Sequence, residues 1–183
     1  MPPLTSKAIH FGSFLVTPQV FYTTSQSFAL VNLKPLLPGH VLVSPLRRVP
    51  RLSDLTSSEV CDLFLAVQRV SRMIERVYKA SALNVAIQDG SDAGQSVPHI
   101  HAHIIPRKHG DMDDKGGNDA IYNMMESEDG DIGQHLREHE RRHGQRGGLP
   151  GVDADEDRKP RSDEEMRKEA EWLASEMEKE SDT

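Results

Sequence analysis

The chain has 183 residues, with 22 Lys and Arg against 29 Asp and Glu for a formal charge of −7, a length that suits one domain with extensions. Its single cysteine, Cys61, rules out an internal disulfide and fits a reducing compartment, and no apolar run is long enough to span a membrane. The charge is unevenly placed: residues 1–109 carry a net +5 and residues 110–183 a net −12, so a mildly basic, apolar-rich half suited to an anionic substrate precedes an acidic half.

In chain order, Ile9 to Val16 and Val20 to Thr24 read as short strands separated near Pro18. Ser27 to Asn32 is a third strand, and His40 to Ser44 a fourth, set off by Lys34-Pro35 and Pro38-Gly39. Thr56-Ser57-Ser58-Glu59 is a capping box. Val60, Leu63, Phe64, Val67, Val70, Ile74, Val77 and Tyr78 then keep a period near 3.6, predicting a long helix with one buried face. Leu83 to Gln88 is a fifth strand, Asp89-Gly90 and Ala93-Gly94 lie in a polar loop, and His99 to Arg107 is the last strand. A short helix is expected over Asn118 to Met125. Glu126 to Arg161 is charged and nearly free of large apolar residues, which predicts disorder. Ser162-Asp163-Glu164-Glu165 is a second capping box, followed by an apolar stripe of Met166, Ala170, Leu173 and Met177. The order predicts an α+β fold with a five- to six-stranded, mainly antiparallel sheet, a long helix and a C-terminal helix that docks on the domain.

His99-Ile100-His101-Ala102-His103 is the stretch richest in chemistry. On a strand, alternate side chains turn to opposite faces, so the three imidazoles share one face while Ile100, Ala102 and Ile104 enter a core. A core or surface role does not explain three such residues in one row. A single metal ion does not either: His99 and His103 lie roughly 13 Å apart along a strand at ~3.3 Å per residue, against a Zn–N bond of about 2 Å. Two histidines with a third ligand could still hold zinc, although the nearby Asn32, Gln88, Gln95 and Ser96 are poor zinc ligands. A neutral imidazole can also attack phosphorus and form a phospho-histidine intermediate, with its neighbours orienting it or protonating the leaving group. Gly94-Gln95-Ser96 offers backbone N–H groups and a hydroxyl for phosphate oxygens. Phe28, Leu30 and Asn32 share a strand face, which lets Asn32 edge an apolar pocket.

The His-φ-His-φ-His-φ-φ pattern of His99 to Ile105 resembles the histidine triad (HIT) superfamily. Ser27 to Asn32, Pro38 to Val43, Gln88 to Gly90, Ala93 to Val97 and Pro106 to Lys108 resemble, in order and spacing, its Fhit branch of dinucleoside polyphosphate hydrolases, and within it the fungal members with longer acidic inserts. The resemblance covers about Phe11 to His109 and returns at Arg161 to Ala170. It implies a catalytic domain over residues 1–109, an acidic insert over 110–161 and a docking helix over 162–180. It implies His101 as nucleophile and His103 on the phosphate and the scissile bond. His99 and His40 are implied to buttress the nucleophile and fix its tautomer. Asn32 would hold the ribose, Gln88 the region of the leaving group, and Gly94, Gln95, Ser96 and Val97 the phosphates. Near Phe14, where the branch carries a substrate-touching histidine, this chain has an aromatic.

The implied activity is cleavage of diadenosine triphosphate to AMP and ADP through a nucleotidyl-histidine. A divalent cation, Mg²⁺ or Mn²⁺, would travel with the polyphosphate, with no tightly bound protein metal. A homodimer with a continuous sheet is implied, as is a cytoplasmic or nuclear location, without membrane or nucleic-acid partners. The alternatives are a nucleoside phosphoramidate hydrolase of another branch and a nucleotide-sensing module. His135, His139 and His143 have a usable zinc spacing on a helix, but the absence of an apolar face favours a solvated charged tract. Tyr122 matches a segment of the Fhit branch that contains a phosphorylatable tyrosine, and Trp172 reads as a packing residue.

Overall fold

The structure is a computed structural model that describes residues 7–144 and 160–180. His10–Phe11 (β1) and Phe14–Leu15 (β2) form a two-stranded hairpin. Val20–Thr23 (β3), Ser27–Val31 (β4), Val41–Pro45 (β5), Ala82–Ile87 (β6) and Ala102–Arg107 (β7) form one antiparallel sheet in the order β3-β4-β5-β7-β6. Among the described residues the α-helices are Ser57–Tyr78 (α1), Ala120–Glu126 (α2), Ile132–Gly144 (α3) and Asp163–Met177 (α4). No helix among the described residues is long and apolar enough to cross a membrane.

The strand expected over Ile9 to Val16 is instead the β1–β2 hairpin. Gly12 turns it with φ +59°, and a side chain there would meet Val97 Cγ1 at 2.7 Å. The long helix follows from its capping box. Thr56 Oγ1 accepts from the Glu59 N–H at 3.3 Å, and the Glu59 carboxylate accepts from the Thr56 N–H at 2.8 Å. Its buried residues Leu63, Val67, Val70 and Ile74 share a core with Ala29, Val31, Val41, Val43, Ala102 and Ile104. Those strand residues have one parity, so α1 covers one face of the sheet.

The other parity builds the opposite face. Leu30 pairs with Leu42, Leu42 with His103 and His103 with Ala86, which makes a row across four strands. Ile105, two residues beyond His103, packs with Leu36, Met112, Ala120, Ile121 and Met125 in a second cluster. The chain after β7 therefore folds back beside the histidine face.

Two expectations are corrected here. The last strand begins at Ala102, not His99: Pro98 has no N–H, the His99 N–H turns to Val97 O at 2.7 Å, and the Ile100 N–H goes to Val49 O at 2.8 Å. Disorder from Glu126 onward does not hold for α3, where Ile132, His135 and Leu136 are buried and two of them join the main core. The remainder of that stretch, 145–159, lies outside the described residues. The C-terminal helix starts at its capping box and buries Met166, Ala170, Leu173, Ala174 and Met177 against β3, β4 and α1.

Candidate active site

His99, His101, His103 and His40 are all buried, each at most 2% exposed. His101 and His103 have ring centroids 4.9 Å apart, and His40 and His103 5.2 Å. The loop ahead of β7 presents the first two histidines, β7 itself presents His103, and His40 directly precedes β5.

Each tautomer follows from the partner of one nitrogen. A carbonyl can only accept, so the His101 Nδ1–H donates to His99 O at 2.8 Å and leaves Nε2 with a free lone pair. The Gly12 N–H donates to His99 Nδ1 at 3.1 Å, so the His99 Nε2–H donates to Pro45 O at 2.8 Å. The Leu36 N–H donates to His40 Nδ1 at 3.1 Å. The His40 Nε2–H then donates to His103 Nδ1 at 3.0 Å, and His103 carries its proton on Nε2. That buried Nε2 has no partner among the described residues. One backbone amide, through His40, thus fixes His103 as a donor.

This changes the role expected of His40: its ring bonds to His103, the neighbour of the nucleophile. It also refines that of His99, whose carbonyl, rather than its ring, orients His101. Burial holds His99 and His101 in the neutral form, each with a pKa lowered to about 4, the hydrogen bond from each ring to a carbonyl opposing the shift. Burial, and then the charge of His101 and His40, lowers His103 well below the ordinary range.

The remaining predicted residues converge in part. Asn32 is buried; its Oδ1 accepts from the Lys34 N–H at 3.1 Å and its Nδ2 lies 3.5 Å from His40 Nδ1. Phe28, Leu30 and Leu42 continue the His103 row as an apolar floor, and the Phe28 ring is 6.1 Å from that of His99. Gln88 shares the parity of Ala86 and packs on Gly94, where a Cβ would meet Gln88 Nε2 at 2.5 Å in a backbone at φ +86°. Val97 is buried against Gly12.

Gln95 and Ser96 are differently engaged. Gln95 braces its own loop, accepting from the Gly90 N–H at 3.1 Å and donating to Pro50 O at 2.7 Å. Ser96 Oγ accepts from the Gly133 N–H at 3.1 Å, at the start of α3. Sequence reasoning also missed Phe11, whose ring stacks on His99 at 5.6 Å and meets His101 edge-on at 4.9 Å. Nothing in its local sequence marks that contact, which joins residues almost ninety positions apart.

The second histidine group is not a solvated tract. His135 is buried and His139 Nε2 lies 3.2 Å from Asp163 Oδ1, while the side chain of His143 lies outside the described residues. Among the described residues no group of three or more His, Cys, Asp or Glu could hold a metal ion. Tyr122 is half exposed, with its hydroxyl 3.3 Å from Asn84 Nδ2, and Trp172 meets Tyr78 edge-on at 5.7 Å.

Residues 15–110 match the family model described as HIT domain. The chain is 52% identical over 172 residues to a Schizosaccharomyces pombe protein named bis(5'-nucleosyl)-tetraphosphatase (asymmetrical), covering 91% of this chain and 93% of that one. It is 44% identical over 167 residues to an Arabidopsis thaliana protein named bifunctional bis(5'-adenosyl)-triphosphatase/adenylylsulfatase FHIT, covering 91% and 82%. Among solved structures, the Plasmodium falciparum diadenosine triphosphate hydrolase in complex with cyclomarin A aligns with a TM-score of 0.67 at 28% identity, over 96% of this chain and 87% of that one.

Proposed function

The chain belongs to the histidine triad (HIT) family, and on that footing we propose that it hydrolyses dinucleoside polyphosphates at one α-phosphorus, releasing AMP through a nucleotidyl-histidine. The observation that carries this reading is the tautomer pair. His101 has its Nδ1–H tied to His99 O and so offers Nε2 as a nucleophile, and His103 next to it offers an unpartnered buried Nε2–H. The relatives' names supply the substrate class.

In the first step His101 Nε2 bonds to the α-phosphorus, and the bond from that phosphorus to the bridging oxygen breaks. ADP leaves from diadenosine triphosphate, or ATP from the tetraphosphate. The His103 Nε2–H stabilises charge on the phosphate and on the departing oxygen. The charge formed on the His101 ring is met by the His99 carbonyl at Nδ1. In the second step water attacks the phosphorus and gives up a proton to solvent, the P–N bond breaks with its electron pair returning to His101 Nε2, and AMP leaves the neutral histidine.

Asn32, at the edge of the Phe28, Leu30 and Leu42 floor, holds the ribose, and Gln88 faces the leaving group. The backbone of Ser96 and Val97 contacts the phosphates, since the Gly94 N–H donates to Ser91 O at 2.9 Å and the Gln95 N–H to Gly90 O at 3.1 Å. The divalent cation, Mg²⁺ or Mn²⁺, belongs to the polyphosphate as part of the substrate. The protein works as a homodimer joined along β6, an edge strand on which Val85 is 49% exposed.

The test is His101→Ala, assayed on diadenosine triphosphate and tetraphosphate, with trapping of labelled AMP on the unaltered protein. Removal of a covalent nucleophile is expected to lower kcat by at least about 10⁴-fold and to abolish trapping. A variant that keeps near-normal kcat overturns the mechanism. Faster cleavage of an AMP-amide than of either dinucleotide overturns the substrate assignment.

A further inference from the structure

Arg161 sits far from the histidines in sequence, just before the Ser162 capping box of α4, yet it closes on the strand end that carries Asn32. Its Nε donates to Asn32 O at 3.1 Å, its Nη2 donates to the same oxygen, and its backbone N–H donates to Leu33 O at 3.0 Å. Two successive carbonyls are thereby pinned. The guanidinium is held in turn by Glu169, in the second turn of α4, and both side chains are largely buried, at 20% and 16% exposed.

Glu169 is anchored by a second arm. The Tyr78 hydroxyl, at the end of α1, donates to Glu169 Oε1 at 2.8 Å. The Tyr78 ring lies under Gly39, where a Cβ would meet ring carbons at 2.7 Å, and Gly39 adjoins His40. The two arms grip the Asn32–His40 segment at both ends.

The side chain of Asn32 has little freedom left. Its carbonyl is fixed by Arg161, its Oδ1 by the Lys34 N–H at 3.1 Å, and its Nδ2 stands 3.5 Å from His40 Nδ1. With one lone pair of Oδ1 engaged, the amide keeps a fixed orientation in which Oδ1 can accept once more and the Nδ2 N–H groups can donate to a ligand. A buried charged guanidinium spent on a backbone carbonyl fixes a direction that the strand end alone would leave loose.

We infer that Arg161 is a positioning residue of the nucleoside subsite, acting through Asn32, with Glu169 and Tyr78 holding it in place. The inference rests on the reading of Asn32 as the ribose contact. Docking of α4 is then part of building the site, not only of closing the core.

The experiment measures dissociation constants of AMP and of 2′,3′-dideoxy-AMP, which lacks both ribose hydroxyls, for the full chain and its variants. The unaltered protein should prefer AMP by about tenfold, the worth of one or two good hydrogen bonds. Asn32→Ala should bring that ratio near one. Arg161→Ala should lower it by at least about threefold, with little effect on dideoxy-AMP. The double variant should match Asn32→Ala alone, since a residue acting through another adds nothing once that other is gone. Glu169→Gln keeps the shape of the side chain, should move the ratio the same way, and stands in if Arg161→Ala fails to fold.

A merely structural role would weaken both ligands together and leave the ratio unchanged. If Asn32→Ala loses the preference and neither Arg161→Ala nor Glu169→Gln does, the inference about Arg161 is overturned. If Asn32→Ala itself keeps the ratio, the ribose reading falls and takes the inference with it.

Discussion

At the scale of single residues, the site is a set of neutral imidazoles whose protons are placed by backbone groups. Leu36 N–H, His40 and His103 form a one-way relay that ends in a donor. Replacing His40 by Phe, of similar bulk, removes the donor to His103 Nδ1, and His103 can then place its proton there and turn a lone pair toward the phosphate. The expected result is a kcat about 10²-fold lower with a smaller change in KM, the usual worth of a positioned proton donor. An unchanged kcat would contradict the relay. Burial gives a second prediction. His99 and His101 have pKa values near 4 in the fold, against about 6.5 in an unfolded chain. The unfolded chain therefore binds more protons between these values, so stability is complete above pH 6.5 and falls as the pH drops toward 4. Each histidine contributes on the order of 3 kcal/mol across that window. Glu59, held down to about 2 mainly by the Arg47 guanidinium, acts only below the ordinary carboxylate range and leaves the upper part of the window to the histidines. Thermal unfolding followed from pH 8 to 4.5 should show a flat Tm that declines below 6.5, with a shallower decline in His101→Gln. A constant Tm from pH 7 to 5 would contradict it.

At the scale of elements, the sequence was legible where local chemistry and periodicity agreed. Thr56 and Glu59 cap α1, Ser162 and Glu165 cap α4; α4 buries the stripe that its spacing predicts, and α1 buries Leu63, Val67, Val70 and Ile74 of its own but leaves Phe64, expected in the same stripe, 44% exposed. The parity argument held from Ala102 onward, with Ala102 and Ile104 in the α1 core and His103 on the other face, but not for His99 and His101, which lie in the loop ahead of β7. Elements that depend on distant contacts were not legible. In α3 only Ile132 and Leu136 are large and apolar, too few to give a periodic signal in a charged tract, and the helix is fixed by packing on the core and by the Gly133 N–H on Ser96. The β1–β2 hairpin reads as one strand until Gly12 is seen pressed on Val97 and donating to His99. In the site, residue types and spacing pointed to His99, His101, His103 and Asn32, while His40 and Gln88 came from the resemblance to the Fhit branch. Which histidine holds which could not be read, because His40 and His103 are 63 positions apart. Gln95 shows the opposite error: its backbone N–H was expected on phosphate, but it donates to Gly90 O at 3.1 Å, and Gly90 and Pro50 claim both ends of its side-chain amide.

At the scale of the whole molecule, the sheet has two edges with different fates. The β3 edge lies beside α4, which packs on β3. Among the described residues the β6 edge pairs only with β7, and none of its residues is fully buried, with Val85 at 49% exposed. An unpaired strand with an exposed β-branched residue is a template for a second copy of itself. Pairing β6 to β6 about a two-fold axis would make a ten-stranded sheet and bury Val85 in both copies. α1, which packs partly on β6, adds apolar area, with Phe64 and Leu65 44% and 65% exposed. The protein should therefore sediment at twice its 20.5 kDa chain mass. Val85→Lys places a charge on the edge of each partner and should shift the mass to that of a single chain, because charged residues on an edge strand oppose strand addition. Val85 points away from the parity of Asn84, Ala86 and Gln88, so the substitution leaves the histidine face as it is. A single-chain mass for the unaltered protein at micromolar concentration, or a double mass retained by Val85→Lys, would contradict assembly through this strand.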